Sequence, residues 1–227
     1  MQPKGWYFPL RLATSTSLSQ PVSIVPMVCI TDMSAHQRSL DQGSRLAFQA
    51  ILLDRDGVIN RERADYVKSW EEFEFLPGVL QTLARLAALK APILVISNQS
   101  AIGRGVVDRL CVDEIHRRAG AVIEAAGGRI DAFFVCPHRP DEGCECRKPK
   151  PGLLRQAAAT YALDLRQCVF IGDAITDFQA AQTAGCSSIL VETGRQGSML
   201  RTALEGVPGA KIVADLAAAV TLIVGSV

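Results

Sequence analysis

The sequence predicts an α/β fold: a doubly wound parallel sheet with helices on both faces. Three observations carry this expectation. From Leu46 onward, short apolar runs alternate with segments of helical period, the pattern of parallel strands joined by crossover helices. Three of those runs end abruptly in acidic and polar residues, as strands do where an open sheet forms a site beyond their carboxyl ends. The chain has 227 residues, 48% of them hydrophobic and 21% charged, enough for one large domain around a substantial core.

The elements follow in order. A first strand is expected at 50–53, where Ala-Ile-Leu-Leu runs into Asp54-Arg55-Asp56-Gly57. A helix at 78–89 precedes a second strand at 92–97, and a helix at 108–126 precedes a third at 131–135. The helices at 151–162 and 175–185 lead to strands at 168–172 and 187–191. A helix at 198–205, a weaker strand at 211–213 and a helix at 215–224 complete the pattern. The apolar stretch Leu216–Val227 is too short to span a bilayer and reads as a terminal core helix.

Residues 1–45 stand apart from the domain at 46–227. They are rich in Ser, Thr, Gln and Pro and show no sustained period. They lack a clean apolar core followed by small residues, so a targeting peptide is disfavoured. The expectation is a disordered extension or a start assigned too early, with Met27 and Met33 as alternative starts.

Lys+Arg 24 against Asp+Glu 23 gives a formal charge of +1. This balance, with no basic stripe carrying aromatics, speaks against a nucleic-acid partner, including the end of a polynucleotide as substrate. No segment suggests a membrane partner. The reading is a cytoplasmic monomer acting on a small metabolite. The seven cysteines are odd in number and unevenly placed, which argues against a secreted disulfide framework.

The chemistry lies at the strand ends. Asp54 and Asp56 are two apart, so extended chain points both to one side. One carboxylate can attack an electrophile while the other moves a proton, and together they attract a hard cation such as Mg2+. The second strand ends in Ser97-Asn98-Gln99-Ser100, with Gly103 and Gly105 beyond. A hydroxyl, an amide and backbone N–H groups near a helix start can hold phosphate oxygens. The fourth strand ends in Gly172-Asp173, with Asp177 one turn on. Asp173 can complete an oxygen set for Mg2+. Arg147-Lys148-Pro149-Lys150 supplies positive charge for a phosphoryl group. Each piece alone has a plainer use as a helix cap, a first-turn acid or a solvated surface run. Their joint order at strand ends favours a site.

Cys136-Pro-His138 and Cys144-Glu-Cys146 form a C-x-H-x5-C-x-C pattern. Three thiolates and an imidazole make a closed tetrahedral set suited to structural Zn2+, with no place for a catalytic water. The loop leads directly into Arg147 and Lys148, so the metal would position those cations. Cys111, Cys168 and Cys186 fall in apolar or helical contexts and read as small core residues.

Asp54-x-Asp56-Gly57, Ser97-Asn98-Gln99, Lys148 and Gly172-Asp173 with Asp177 together resemble the haloacid dehalogenase superfamily of phosphohydrolases, over roughly residues 48 to 195. The resemblance implies a Rossmann-like sheet, with a short zinc-binding loop here and no large cap domain. It implies that Asp54 forms an aspartyl phosphate and that Asp56 protonates the leaving group, then activates water. Ser97 and Lys148 would hold the phosphoryl group. Asp54, the Asp56 backbone carbonyl and Asp173 would bind Mg2+, with Asp177 supporting them from behind.

Within the superfamily the cysteine loop resembles the branch of heptose-bisphosphate and histidinol-phosphate phosphatases. Asp54-Arg-Asp-Gly-Val-Ile-Asn60, Tyr66-Val67, Phe73-Glu74-Phe75 and Cys146-Arg-Lys-Pro-Lys-Pro-Gly152 are closer to the heptose members. That likeness assigns substrate contacts to Glu62, Arg63, Ala64 and Asp65, to Ser97, Asn98, Gln99 and Ser100, and to Arg147 and Lys148. A cluster of Arg61, Arg63, Arg104, Arg147 and Lys150 would suit two anionic groups on one sugar. Two departures bear on the substrate: Ala101-Ile102-Gly103-Arg104-Gly105 replaces Gly-Ile-Ala-Arg-Gly, and Ala174 stands where some members carry Lys.

Overall fold

The computed structural model describes residues 6–9 and 48–224. Seven strands form one sheet in the order β1-β4-β3-β2-β5-β6-β7. They are β1 (Trp6–Pro9), β2 (Ala50–Leu53), β3 (Ile93–Asn98), β4 (Ala132–Cys136), β5 (Cys168–Gly172), β6 (Ser187–Val191) and β7 (Ile212–Val213). The pairings from β2 to β7 are parallel. Among the described residues, seven helices connect or flank them: α1 (Val79–Ala87), α2 (Ser100–Gly103), α3 (Arg109–Ala125), α4 (Gly152–Tyr161), α5 (Ile175–Ala184), α6 (Gly197–Ala203) and α7 (Leu216–Val224). None of them is long and apolar enough to cross a membrane.

The alternation of side chains along each strand explains why both faces are covered. Ile51 and Leu53 of β2, Ile93 and Val95 of β3, and Val169 and Ile171 of β5 join one core, closed by α1, α3 and α7 through Leu83, Leu86, Ile115, Ile123, Val220 and Ile223. The intervening Ala50, Leu52, Leu94, Ile96, Cys168 and Phe170 join the other core, with Leu153, Leu154 and Ala157 of α4 and Ala180 and Ala181 of α5. A strand buried on both faces must be apolar throughout, which is why these runs lack polar alternation. Burying each Leu or Ile contributes roughly 1.5–3 kcal/mol, so either face collapses without its helices.

Connectivity then sets the site. From central β2 the chain steps outward to β3 and β4, then crosses back to β5 on the other side of β2. The crevice at that reversal lies beyond the carboxyl ends of β2, β3 and β5, where Asp54, Asn98 and Asp173 emerge. The Asp54 backbone N–H bonds to the Ile171 carbonyl at 2.8 Å, which fixes the first carboxylate beside β5.

The cover over this edge is small. Residues 54–78 hold a single 3-10 turn, Trp70–Glu72. Trp70 stacks on Phe73 at 5.5 Å between ring centroids, and Phe73 meets Phe75 edge-on at 5.1 Å. These rings pack against the first core and anchor the segment.

The predicted strands and helices from 50 onward are present, with ends shifted by one or two residues. The short α2 and the 3-10 turns were not expected from periodicity, since one helical turn is too brief to show a period. Strand β1 was not expected either. It pairs antiparallel with β4 in the register Trp6↔Val135 to Pro9↔Ala132. The rest of the expectation for 1–45, and Met27 and Met33 with it, lies outside the described residues.

Candidate active site

A cleft of about 430 Å³ opens at the carboxyl edge of the sheet. Its floor is Asp54, Asp173, Asp177 and Lys148. Asp54 leaves β2, Asp173 leaves β5, and Asp177 stands in the first turn of α5. One oxygen from each of the three carboxylates lies within 4.8 Å of the others. Lys148 reaches into this group from the cysteine loop. Its Nζ stands 2.9 Å from Asp54 Oδ1 and 2.7 Å from Asp177 Oδ1, and donates to the Ile96 carbonyl at 3.0 Å. All four groups are buried, the lysine to 4% exposure.

Local chain geometry makes this packing feasible. Gly57 turns the chain away from Asp56 with φ of 82°, and a Cβ there would collide with the Asp173 carboxylate. Gly194 presses on the same carboxylate, and a Cβ there would overlap it. The two glycines form a backbone cradle for Asp173. The Asp177 Oδ2 caps α5 by accepting from the N–H groups of Asp173 (3.0 Å) and Ala174 (3.1 Å).

The electrostatics show surplus negative charge. Burial pushes Asp54 up to about 7; Lys148 opposes this and Asp177 reinforces it. Burial and the neighbouring Asp54 and Asp177 push Asp173 up to about 9. Burial opposes the charge on Lys148, but Asp177 and Asp54 hold it well above the ordinary lysine range. One cation among three carboxylates does not neutralise them. Hard oxygen donors with excess charge at this spacing fit a divalent ion such as Mg2+.

Asp56 is held separately. Its Oδ1 accepts from Arg55 (2.8 Å) and Asn60 (2.9 Å), and its Oδ2 from Gln99 (2.7 Å). Burial would raise this carboxyl, but Arg55, Asn60 and Gln99 outweigh it and hold it below the usual range. Gln99 also donates to Ser97 Oγ at 2.8 Å. The Asn98 side chain clamps the backbone of Lys148, donating to its carbonyl at 3.2 Å and accepting from its N–H at 3.1 Å. Asn98 and Gln99 line the cleft while holding Lys148, Asp56 and Ser97 in place.

The second cluster is Cys136, His138, Cys144 and Cys146. The sulfurs of Cys136, Cys144 and Cys146 lie 3.3–3.7 Å apart, and His138 Nδ1 is 3.2 Å from Cys146 Sγ and 3.6 Å from Cys136 Sγ. A tetrahedron with Zn–S bonds of about 2.3 Å has S···S edges of about 3.8 Å, so the donor set suits zinc in type, number and approximate spacing. Hydrogen bonding from Cys136 is the chief cause that pulls Cys146 down to about 5, and the same contact pushes Cys136 up. The loop is tied to the cleft: Arg147 Nη1 donates to the His138 carbonyl at 3.3 Å.

Comparison with known proteins fixes the family. A family model described as HAD-hydrolase-like matches residues 145–219. D-glycero-beta-D-manno-heptose-1,7-bisphosphate 7-phosphatase of Bordetella bronchiseptica is 43% identical over 169 residues, covering 74% of this chain and 93% of its own. The chain belongs to the haloacid dehalogenase-like phosphatases. The same-named protein of Pseudomonas aeruginosa is 41% identical with the same coverage. The crystal structure of the D,D-heptose 1,7-bisphosphate phosphatase from B. bronchiseptica, complexed with magnesium and phosphate, superposes with a TM-score of 0.74 at 40% identity. It covers 79% of this chain and 99% of that one. This haloacid dehalogenase-like chain is a phosphoric monoester hydrolase.

The cleft brings together Asp54, Asp56, Glu62, Arg63, Ala64, Ser97, Asn98, Gln99, Ser100, Arg147, Lys148 and Asp173 from the expected residues. It does not bring in Asp65, which is exposed and engaged by Lys68 at 2.6 Å and Arg63 at 3.1 Å. The expected arginine cluster is corrected in the same way. Arg61 is spent on Glu74 at 3.0 Å and Lys150 on Glu145 at 2.8 Å, both at the surface and away from the cleft. Arg63, Arg104 and Arg147 do line it.

Arg195, Gln196 and Thr176 line the cleft and were missed. Arg195 Nη2 pairs with Glu62 at 3.0 Å and donates to the Arg63 carbonyl at 3.1 Å, clasping the loop after β6 to the segment after β2. The available signal was Thr193-Gly194-Arg195 following an apolar run at the same sheet edge.

Proposed function

We propose that this phosphatase is Mg2+-dependent and removes the 7-phosphate of D-glycero-D-manno-heptose 1,7-bisphosphate. The observation that carries the substrate is the charge layout of the cleft. Lys148 stands at the floor beside Asp54, and Arg104 and Arg147 stand on the wall, with Arg63 and Arg195 beside them already paired to Asp65 and Glu62. One phosphoryl group fits at the floor, and a second anionic group on the same sugar fits the arginines. Histidinol phosphate would need an open acid for its ammonium group. Glu62 is already paired with Arg195, and Asp65 lies outside the cleft with Lys68 and Arg63. The acids that could favour that alternative are neutralised, while Arg104 is exposed.

In the reaction an Asp54 oxygen attacks phosphorus and the bond to the sugar oxygen breaks. The departing oxygen takes a proton from the Asp56 carboxyl. Asp56 is ionised in the free cleft, so this proton arrives with the phosphate monoester, whose charge raises the affinity of the carboxylate for it. Asp56 then accepts a proton from water, whose oxygen attacks phosphorus and releases Asp54 as a carboxylate. Ser97 and Lys148 hold the phosphoryl oxygens through both steps. Asp54, the Asp56 backbone carbonyl and Asp173 would hold Mg2+, which supplies charge neutralisation for the phosphoryl group. Asp177 holds Lys148. The cysteine loop would hold structural Zn2+ and fix Arg147 and Lys148.

The test is kcat/KM for the β and α anomers of heptose 1,7-bisphosphate against histidinol phosphate, with Mg2+. The reading expects a bisphosphate preference of about a hundredfold or more, about 2.7 kcal/mol of transition-state binding. The β anomer, named for both relatives, is expected to be the better one. A preference for histidinol phosphate would overturn the substrate assignment.

A further inference from the structure

Behind Asp56 lies a buried group that the reaction above leaves unused. His116, in the middle of α3, is fully buried and stacks on Phe133 of β4 with ring centroids 4.2 Å apart and planes 6° apart. Its Nε2 lies 3.2 Å from Arg55 Nη1. Arg55 is 1% exposed, and its other terminal nitrogen donates to Asp56 Oδ1 at 2.8 Å. The three side chains make one line from the second layer of the fold to the carboxyl at the cleft.

A guanidinium has only donors, so Nε2 must be the acceptor and the imidazole must be neutral with its proton on Nδ1. That Nδ1 has no hydrogen-bond partner among the described residues. A second positive charge beside Arg55 would repel it. Burial, and then Arg55, hold His116 well below the ordinary histidine range. The plane of the ring, and so the direction of Nε2, is set by the Phe133 stack. Arg55 and Asn60 together fill Oδ1 of Asp56, which leaves Oδ2, beside Gln99, as the oxygen with room for the transferred proton.

We propose that His116 is a positioning residue for phosphoryl transfer: it holds Arg55, and Arg55 holds the Asp56 carboxyl in the orientation from which it serves the leaving oxygen. This rests on the acid–base role given to Asp56 above. A buried guanidinium with one carboxylate needs a second acceptor, or it turns to find one. Misplacing a proton donor by about 1 Å can cost on the order of a hundredfold in rate.

The experiment uses His116→Phe, which keeps the stack and deletes the acceptor, and His116→Gln, which keeps an acceptor. The sugar phosphate turned over fastest in the survey above is compared with 4-nitrophenyl phosphate, whose phenolate leaves without a proton. His116→Phe should lower kcat on the sugar phosphate about tenfold or more while KM moves less than about twofold. The pre-steady-state burst of nitrophenolate should survive within about threefold, because that step needs no acid. His116→Gln should recover most of kcat. Arg55→Met removes the guanidinium and its need for an acceptor, so adding His116→Phe to it should cost no further kcat, and in this pair no buried guanidinium is left without an acceptor while Asn60 and Gln99 still donate to Asp56.

An equal loss in the burst and in sugar-phosphate turnover, or additive losses in the double variant, would mean general damage to the fold and overturn the proposal. So would full activity in His116→Phe. Asp56→Asn separates the two readings. If it lacks the same leaving-group dependence, the acid role of Asp56 fails. If Asp56→Asn shows it and His116→Phe does not, only the role of His116 fails.

Discussion

Asp177→Asn tests how the floor of the cleft is balanced. Asp177 makes three contacts: Lys148 at 2.7 Å through Oδ1, and the N–H groups of Asp173 and Ala174 through Oδ2. The amide keeps an oxygen for the two N–H groups and turns an NH2 toward the ammonium. The loss is one buried charge-assisted contact, about 1.5–3 kcal/mol, with a donor now facing a donor. Against this, Asp177 also repels Asp54 and Asp173, and that repulsion is relieved. Mg2+ already compensates it, so the loss is largest with the ion present. We expect Asp177→Asn to cost about 2–3 kcal/mol in Mg2+, which lowers Tm by about 4–12 °C for a domain of this size, and clearly less in Mg2+-free buffer. Asp177→Ala, which also strips the cap, should lose about 1–2 kcal/mol more. Thermal and urea unfolding with and without Mg2+ read both. If Asp177→Asn in Mg2+ stays within about 0.5 kcal/mol of the parent, below the range for losing such a contact, Lys148 is not held by that pair and the reasoning is refuted.

Other predictions concern the metals and pH. Metal analysis should find one zinc per chain. Cys144→Ser or zinc removal should raise KM and increase hydrogen exchange in 136–148 before the sheet is affected, because the loop carries Arg147 and Lys148; a silent Cys144→Ser with no zinc would end that assignment. In Mg2+-free protein, Asp54 at about 7 and Asp173 at about 9 bind protons more tightly folded than unfolded. Folded protein therefore carries more protons above the ordinary carboxylate value, and stability is lost as pH rises from about 4 to about 9. Mg2+ should flatten that slope. Asp56 is depressed and works oppositely, its contribution being lost only as pH falls below the ordinary range. Tm at intervals across this range, with and without Mg2+, decides; a Tm that rises with pH in Mg2+-free protein contradicts the crowding of the carboxylates.

The central strands were legible because both faces of each are buried, which forces continuous apolar runs such as Ile93–Ile96. The floor of the cleft was legible because Asp54 and Asp173 stand where those runs stop and Lys148 follows directly on the cysteine pattern. The walls were less so. Arg61, Arg104 and Lys150 look alike in sequence, yet two are neutralised by Glu74 and Glu145 at the surface. Which cation meets which acid depends on how loops fold over the sheet, and periodicity does not report that. Arg195 was missed because it comes from a loop whose approach is set by the Gly194 contact with Asp173. His116 was hidden in Glu114-Ile-His-Arg-Arg118, a stretch that reads as solvated, although the helix turns this one polar residue toward Arg55.

The central claim is that Asp54 becomes covalently phosphorylated. The direct measurement is borohydride reduction of an acid-quenched reaction with heptose 1,7-bisphosphate and Mg2+, followed by peptide mass analysis, since an acyl phosphate is reduced to an alcohol. The account predicts homoserine at position 54, absent without substrate and absent in Asp54→Asn, which should be folded and inactive. Reduction at another residue, or turnover retained in Asp54→Asn, would contradict it.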